Sequence, residues 1–520
     1  MKKYIILGFF ILFELKPIYS QNQSKKSKSP ELQVFEPNWE SLKQYDCPQW
    51  FRDAKFGIWA HWGPQSVAEF GDWYARFLYK PQTDTSAWRK NGGIKAYAHH
   101  LATYGHPSQF GYKDLIPLFK AEKFNPEELM KLYHQAGARY FMSMGQHHDN
   151  FDMWNSKYQP WNAVNMGPKK DIVKAWQIAA KNNQMKFGVS FHGQTSWSWF
   201  EASRGADIDG PYKGVPYDGN LTKADGKGKW WEGYDPQDLY GEPHEPDAPR
   251  NERFKQNFYN RTMDLIDNYK PDLIYFDGGI PFEWLQIASN FYNKSIQWNG
   301  VNQAVINVKG VAPEKQKAVV FDIENGQSGS LRKYPWQTDT SFDGWFISKT
   351  PYVTTTKKVI QQLVDIVSKN GNLMLNITQR SDGTITDTAE KFLKEMASWM
   401  AINSEAIHGT RPWEIYGEGP VKIEKGEQNK AQRLNYTKED IRFTTKGNNL
   451  YAIIMEWPGK EITIKSLPKS KKIWFGDIKE VKLLGSSESL KWKQDESGLK
   501  VSLPENAVGK YAYTIKISGN

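Results

Sequence analysis

The sequence predicts an α/β protein, a (β/α)8-like barrel followed by a small all-β sandwich. Three observations predict it. Short apolar runs such as Leu273-Ile274-Tyr275-Phe276 stop abruptly at polar residues, as strands buried on both faces of a parallel sheet do. Segments with a 3.6-residue apolar period alternate with these runs over about 350 residues. From about Glu414 onward the period falls to two, the pattern of half-buried antiparallel strands. An open doubly wound sheet is the alternative to the barrel. No GxGxxG follows a strand, which argues against dinucleotide binding.

Residues 1–20 have the pattern of a secretory signal. Lys2 and Lys3 precede the apolar run Tyr4 to Phe13, and Ile18-Tyr19-Ser20 offers a cleavage site. That run is too short to span a bilayer and no later one is apolar enough, so a secreted or periplasmic protein without a transmembrane segment is expected. Residues 21–35 are expected to be a disordered leader, 36–413 the barrel domain with an insertion at about 204–250, and 414–520 the sandwich.

Within the barrel domain, Lys55 to Pro64 reads as an apolar strand ending in His61-Trp62-Gly63, and Asp72-Trp73-Tyr74-Ala75-Arg76 as a loop returning over the same end. Asn125-Pro126-Glu127-Glu128 is a helix start, with Asn as cap and Pro at the first position, and Gly137 closes the helix. Tyr140 to Gly145 is a strand ending in Gln146-His147-His148-Asp149. Asp171 caps a helix that leads to the strand Lys186 to Phe191 and so to His192. The stretch 204–250 has no period and is expected to be a functional loop or a decorative one. The pattern resumes with a helix carrying Phe258, Leu265 and Ile266, the strand ending at Asp277-Gly278-Gly279, and a strand over Ala318 to Asp322. Then come a helix with Val359, Ile360 and Leu363 on one face, a buried strand over Asn372 to Ile377, and a helix from Asp387 to Ile402 with Asp387 and Glu390 as a capping box. In the sandwich, Ile462/Ile464, Val481/Leu483, Leu499/Val501 and Ile515/Ile517 alternate, and Lys446-Gly447-Asn448-Asn449 joins two strands.

Composition narrows the function. Twenty-two Trp beside 27 Phe and 26 Tyr exceed what packing needs, and indole faces bind sugar C–H surfaces; a bulky barrel core is the plainer reading. The formal charge of +10 becomes +8 once the signal's Lys2, Lys3 and Lys16 are set against Glu14. The lysines are dispersed and no nucleic-acid motif accompanies them, so a solvated basic surface is expected, with an anionic polysaccharide as the second reading. Cys47 is the only cysteine, which excludes an intrachain disulfide, and it is expected to be structural rather than nucleophilic.

Five strand ends thus present His61, His147 with His148, His192, Asp277, and Asp322 with Glu324, all expected on one rim. Cleaving an acetal needs one carboxylate at the anomeric carbon, a second acid for the leaving oxygen, and neutral groups on the hydroxyls. Adjacent histidines on one strand point to opposite faces, so no metal site is expected from His147 and His148. Asp322 is expected to be a structural partner.

The chain resembles glycoside hydrolase family 29, the retaining α-L-fucosidases. The matching stretches are Trp50 to Ile58, His61-Trp62-Gly63, Asp72 to Arg76, His147-His148-Asp149, Phe151 with Trp154, Asp171-Ile172-Val173, Tyr275-Phe276-Asp277-Gly278, Asn370 to Ile377, Asp382 to Ile385 and Gly409 to Trp413, in family order. The resemblance implies an exo-acting α-L-fucosidase without cofactor or metal, acting on a fucosylated oligo- or polysaccharide. It makes Asp277 the nucleophile and Glu324 the acid/base, with Glu283 as the competitor. His61, Trp62, Asp72, Trp73, His147, His148 and His192 would line the sugar. Asp72 stands where members often carry Glu, Gln146 where they carry Lys, and Asn150 where they carry Gly. An α-L-galactosidase and a non-catalytic fucose-binding protein are the alternatives.

Overall fold

The computed structural model describes residues 33–81, 92–245, 247–423 and 434–519, with Met1. The signal expected over 1–20 thus lies outside the described residues apart from Met1, as does most of the expected leader. Its last residue belongs to the fold instead. Phe35 is buried, donating its N–H to Asn293 Oδ1 and accepting from Asn293 Nδ2, both at 2.8 Å.

Eight parallel strands close a barrel in chain order: β1 (Phe56–Ala60), β2 (Tyr140–Gln146), β3 (Lys186–Phe191), β4 (Leu273–Phe276), β5 (Val305–Val308), β6 (Val320–Asp322), β7 (Trp336–Ser341) and β8 (Gly371–Asn376). The ring shuts where β1 pairs with β8, Ile58 opposite Leu375. Leu273 and Tyr275 pack inside the barrel with Trp59, Tyr140, Met142 and Met374, while Ile274 and Phe276 join the core outside it. Burial on both faces is why these strands read as unbroken apolar runs.

Around the barrel lie α1 (Pro126–Gln135), α2 (Ile172–Asn182), α3 (Glu252–Tyr269), α4 (Trp284–Asn299), α5 (Thr356–Ser368) and α6 (Asp387–Asn403). Asn125 and Asp171 cap as expected, their side chains accepting from Glu128 N–H at 3.2 Å and Lys174 N–H at 2.8 Å. The expected box at Asp387 is displaced by one residue. Thr386, extended at φ −77° and ψ 154°, is the cap, and Asp387 opens the helix, where its charge favours the positive end of the helix dipole.

The sequence reading did not contain β5, α4 or β7. The strand β7, Trp336-Gln337-Thr338-Asp339-Thr340-Ser341, is polar, yet buried along nearly its whole length. Two of its polar side chains find partners inside the barrel. Gln337 donates to Asp322 Oδ2 at 2.6 Å and accepts from Tyr140 Oη at 2.9 Å, and Asp339 accepts from Tyr275 Oη at 3.1 Å. The barrel also departs from strict alternation: β5 leads to β6 through only the 3-10 turn Pro313–Ala318, and β6 reaches β7 by a loop.

The C-terminal part is two antiparallel sheets. The first, in order β13-β16-β11-β10-β9, uses β9 (Arg411–Glu418), β10 (Ile441–Lys446), β11 (Asn449–Ile454), β13 (Glu480–Leu483) and β16 (Tyr513–Ser518). The second, β12-β15-β14, uses β12 (Glu461–Ile464), β14 (Trp492–Asp495) and β15 (Gly498–Ser502). Their inner faces share one core that includes Trp413, Phe443, Ile464, Leu499 and Ile517. Because β9 starts at Arg411, the second unit begins slightly before the expected Glu414. Gly447-Asn448 joins β10 and β11 as a two-residue hairpin, with Gly447 at φ +56°.

The two units meet along α5. Asp365 is fully buried and accepts from Arg442 Nε at 2.6 Å, Lys369 Nζ at 2.8 Å and Gln327 Nε2 at 2.7 Å. Asp365→Ala strands two buried cations and is expected to cost about 3–5 kcal/mol. Equilibrium urea unfolding reads the loss, and an unchanged midpoint would refute this account of the interface. No helix among the described residues is long and apolar enough to cross a membrane. Burial pushes the Cys47 thiol up to about 12, against the pull of neighbouring cations and Tyr45, which suits a structural thiol.

Candidate active site

The C-terminal ends of the barrel strands surround a cavity of about 130 Å³. His61 follows β1, His147 and His148 follow β2, His192 follows β3, Asp277 follows β4, Lys309 follows β5 and Glu324 follows β6; Asp339 lies within β7. Asp72 and Trp73 come over from the loop after β1, and Trp345 from the loop after β7. The barrel interior below is filled by side chains, Trp59 and Tyr275 among them, so the cavity is blind.

His61, His147 and His148 are held from behind. Asn376, the last residue of β8, accepts at Oδ1 from His61 N–H at 2.8 Å and faces His61 Nδ1 at 3.1 Å. Asn376 Nδ2 in turn donates to the Gly344 and Trp345 carbonyls at 2.7 and 2.9 Å. Gln65 Nε2 lies 2.9 Å from His147 Nδ1 and donates to Asp149 Oδ2 at 3.2 Å, while Tyr112 Oη donates to the same oxygen at 2.6 Å. His148 Nδ1 faces the His192 carbonyl at 3.0 Å. Burial, with the crowding of the other rings, lowers the pKa of His61 and His147 well below the imidazole range and that of His148 to about 3. These rings are neutral hydrogen-bonding groups at neutral pH.

The expectation that His147 and His148 diverge fails. Gln146 ends β2 after a register shift, both residues lie beyond the pleat, and their ring centroids are 4.5 Å apart on the same cavity wall. His61, His147 and His192 offer ring nitrogens within 4.8 Å of one another, as do His148 and His192 with an Asp277 oxygen. Either set has the donors for a soft divalent ion, and the same atoms suit the closely spaced hydroxyls of a pyranose.

Asp277 touches His192 Nδ1 at 3.3 Å and His148 Nε2 at 3.4 Å through one oxygen, and Lys309 Nζ at 2.8 Å through the other. Burial works to raise its pKa, but Lys309 and then the two histidines prevail and hold the carboxyl well below the usual range. Glu324 also reaches Lys309 Nζ, at 2.9 Å, yet burial and the charge of Asp339 keep its pKa raised. Contacts of 2.8 and 2.9 Å to one nitrogen place the two carboxylate oxygens no more than 5.7 Å apart.

Gly278 and Gly279 turn the chain away from Asp277 at φ +82° and +99°, and a Cβ on Gly278 would stand 2.8 Å from Gln194 Nε2. The glycines serve this turn. Trp73 also has a left-handed backbone, φ +68°, which sets its ring edge-on to Trp199 at 4.6 Å, and Trp199 lies 4.5 Å from His148.

Of the residues expected to line the sugar, His61, Asp72, Trp73, His147, His148 and His192 line the cavity and Trp62 does not. Its ring points outward between Phe119 and Phe124, and its Nε1 donates to the Arg380 carbonyl at 2.8 Å, because side chains alternate in direction where the chain leaves β1. Glu283 is exposed at the start of α4 and is absent from the cavity wall. No described residue of 204–250 lines the cavity; that stretch braces it from behind, the Asp238 and Leu239 carbonyls each accepting from Asn150 Nδ2 at 3.0 Å. Sequence reasoning missed Lys309, Asp339, Trp59, Trp345 and Gln65. Lys309-Gly310 does follow the apolar run of β5, the same signal that marks Asp277.

Comparison with known proteins agrees with this geometry. The family model described as "Alpha-L-fucosidase" matches residues 21–405, and "Alpha-L-fucosidase C-terminal domain" matches 433–518. Plasma α-L-fucosidase of Homo sapiens is 28% identical over 488 residues, covering 91% of this chain and 89% of that one. Tissue α-L-fucosidase of Homo sapiens is 27% identical over 515 residues, covering 93% and 92%. A crystal structure of Thermotoga maritima α-fucosidase in complex with fucose superposes with a TM-score of 0.67 at 25% identity, covering 93% of this chain and all of that one. With family-model matches over both its barrel and its C-terminal sheets, the chain belongs to the α-L-fucosidases of glycoside hydrolase family 29.

Proposed function

We propose that this protein is an exo-acting α-L-fucosidase that removes terminal α-L-fucosyl residues by retaining double displacement. The observation that carries the reading is the carboxylate pair. Oxygens no more than 5.7 Å apart match the separation of about 5–5.5 Å that retention uses, and leave no room for the water that inversion places between the carboxyls. Asp277, held ionised, attacks the anomeric carbon. Glu324, whose pKa burial and the charge of Asp339 raise, delivers its proton to the leaving oxygen and then takes one from the incoming water. Asp72, Trp73, His61, His147, His148 and His192 bind the sugar, and the blind cavity admits only a chain end.

The reading predicts a bell-shaped pH profile for kcat/KM. Activity falls on the acid side as Asp277 gains a proton, below the usual carboxylate range, and on the alkaline side as Glu324 loses its proton, above the usual glutamate range. The direct test is release of 4-nitrophenol from its α-L-fucoside, with NMR of the first-formed anomer. α-L-Fucose appearing first is expected. First-formed β-anomer would overturn retention, no release would favour a binding protein, and faster cleavage of the matching α-L-galactoside would reassign the sugar.

The natural substrate is a fucosylated oligo- or polysaccharide, and the basic excess of the chain favours an anionic one. The N-terminal basic and apolar pattern places the protein outside the cytoplasm, secreted or periplasmic.

A further inference from the structure

Lys309 occupies a position that the retaining reading does not by itself require. It stands at the end of β5, between Asp277 on one side and Glu324 and Asp339 on the other, with its side chain 13% exposed. Its ammonium has three protons and faces three carboxyl groups: Asp277 Oδ1 at 2.8 Å, Glu324 Oε2 at 2.9 Å and Asp339 Oδ2 at 3.4 Å. The Tyr275 ring lies 5.7 Å from Nζ. Behind Asp339 is Asp322, fully buried. The Oδ1 atoms of both aspartates have no donor among the described side chains, and burial with the charge of Asp339 pushes the Asp322 carboxyl well above the usual carboxylate range. His192 Nδ1 at 3.3 Å and His148 Nε2 at 3.4 Å complete the polar surroundings on the Asp277 side.

Resting on the fucosidase reading above, we infer that Lys309 is a shared counter-ion which follows the negative charge from Asp277 to Glu324 during the reaction without moving. In the first step an Asp277 oxygen bonds to the anomeric carbon, the bond to the leaving oxygen breaks, and that oxygen takes the Glu324 proton. Asp277 becomes a neutral ester and Glu324 a carboxylate. In the second step water loses a proton to Glu324, its oxygen bonds to the anomeric carbon, and Asp277 departs as carboxylate. One negative charge therefore shuttles between two atoms already in contact with the same ammonium, so neither step waits for a cation to be moved. Asp339, which accepts from Tyr275 Oη at 3.1 Å, faces the same ammonium throughout. Lys309 is a positioning residue in this scheme, acting through the two carboxyls.

Lys309→Met tests the inference, with the pH profile of kcat/KM on an aryl α-L-fucoside as readout. Removing the cation disfavours both carboxylates, so the acid and alkaline limbs are both expected to move upward by about one pH unit or more, with kcat/KM at the parent's optimum falling about 100-fold. The pH dependence of covalent labelling by a 2-deoxy-2-fluoro-fucosyl fluoride, followed by intact mass, should show the same shift of the acid limb without needing turnover. Lys309→Arg retains the charge and should restore the limbs while kcat stays below the parent. Limbs at the parent's positions in Lys309→Met, with activity lost equally at every pH, would overturn the inference and leave Lys309 a packing residue. Should Lys309→Met not fold by circular dichroism, Lys309→Gln is read in the same way. Asp277→Asn with parental turnover would overturn the site assignment and this inference with it; Asp277→Asn inactive beside unmoved limbs in Lys309→Met overturns the counter-ion alone.

Discussion

Asp277→Asn is expected to lower kcat by roughly 10⁴ to 10⁶-fold, about 5–8 kcal/mol of barrier, while leaving the fold intact. Asparagine has the shape of aspartate but neither its charge nor its nucleophilicity, so the covalent step is lost outright rather than slowed by misplacement. The fold should tolerate it because the backbone contacts at this position do not involve the carboxylate. Asp277 N–H donates to the Phe191 carbonyl at 3.1 Å, and the turn that follows is set by Gly278 and Gly279. Lys309 keeps Glu324 and Asp339 as partners. Substrate binding should survive, since the histidines, Asp72 and Trp73 are untouched, and calorimetry with L-fucose reads it. Turnover near that of the parent would end the assignment.

Glu324→Gly is expected to behave differently, because a proton donor matters in proportion to how poor the leaving group is. Loss of general acid catalysis costs about 10² to 10⁴-fold on a natural glycan, whose leaving alkoxide is strongly basic, and far less on an aryl fucoside that departs unaided. With the aryl substrate the second step becomes limiting, and azide, which needs no general base, should restore the rate and yield an α-L-fucosyl azide. The position is well defined for such a test. Asn325, at φ +47°, donates its N–H to the Asp339 carbonyl at 2.8 Å, and Thr340 Oγ1 donates to Asn325 Oδ1 at 2.8 Å, so the loop after β6 is tied to β7 on both sides of the removed side chain. Glu283→Gly should be without effect. Azide rescue there, with none at Glu324, would exchange the two roles.

What the sequence by itself determined is the set of groups carried by apolar strands. Wherever a strand is buried on both faces, its side chains must be apolar and its end is marked by the first polar residue. His61, His147, His192 and Asp277 were legible for that reason, and so were the caps at Asn125 and Asp171, whose interactions span only three residues. The period of two was equally local, and it predicted the C-terminal sheets. What only the tertiary structure decided is everything that depends on a partner distant in sequence. The strand β7 has no apolar signal because its interior residues are paid for by Asp322, Tyr140 and Tyr275, which lie far from it along the chain. Alternation puts Trp59 and Trp62 on opposite faces, yet only the closed barrel decides that the first faces its interior and the second the outer core. The choice between Glu283 and Glu324 follows from the route of each loop, and the role of Lys309 from the convergence of four strand ends on one nitrogen. Periodicity records whether a side chain is buried; it does not record which charges are buried together, and the chemistry of this site depends on the latter.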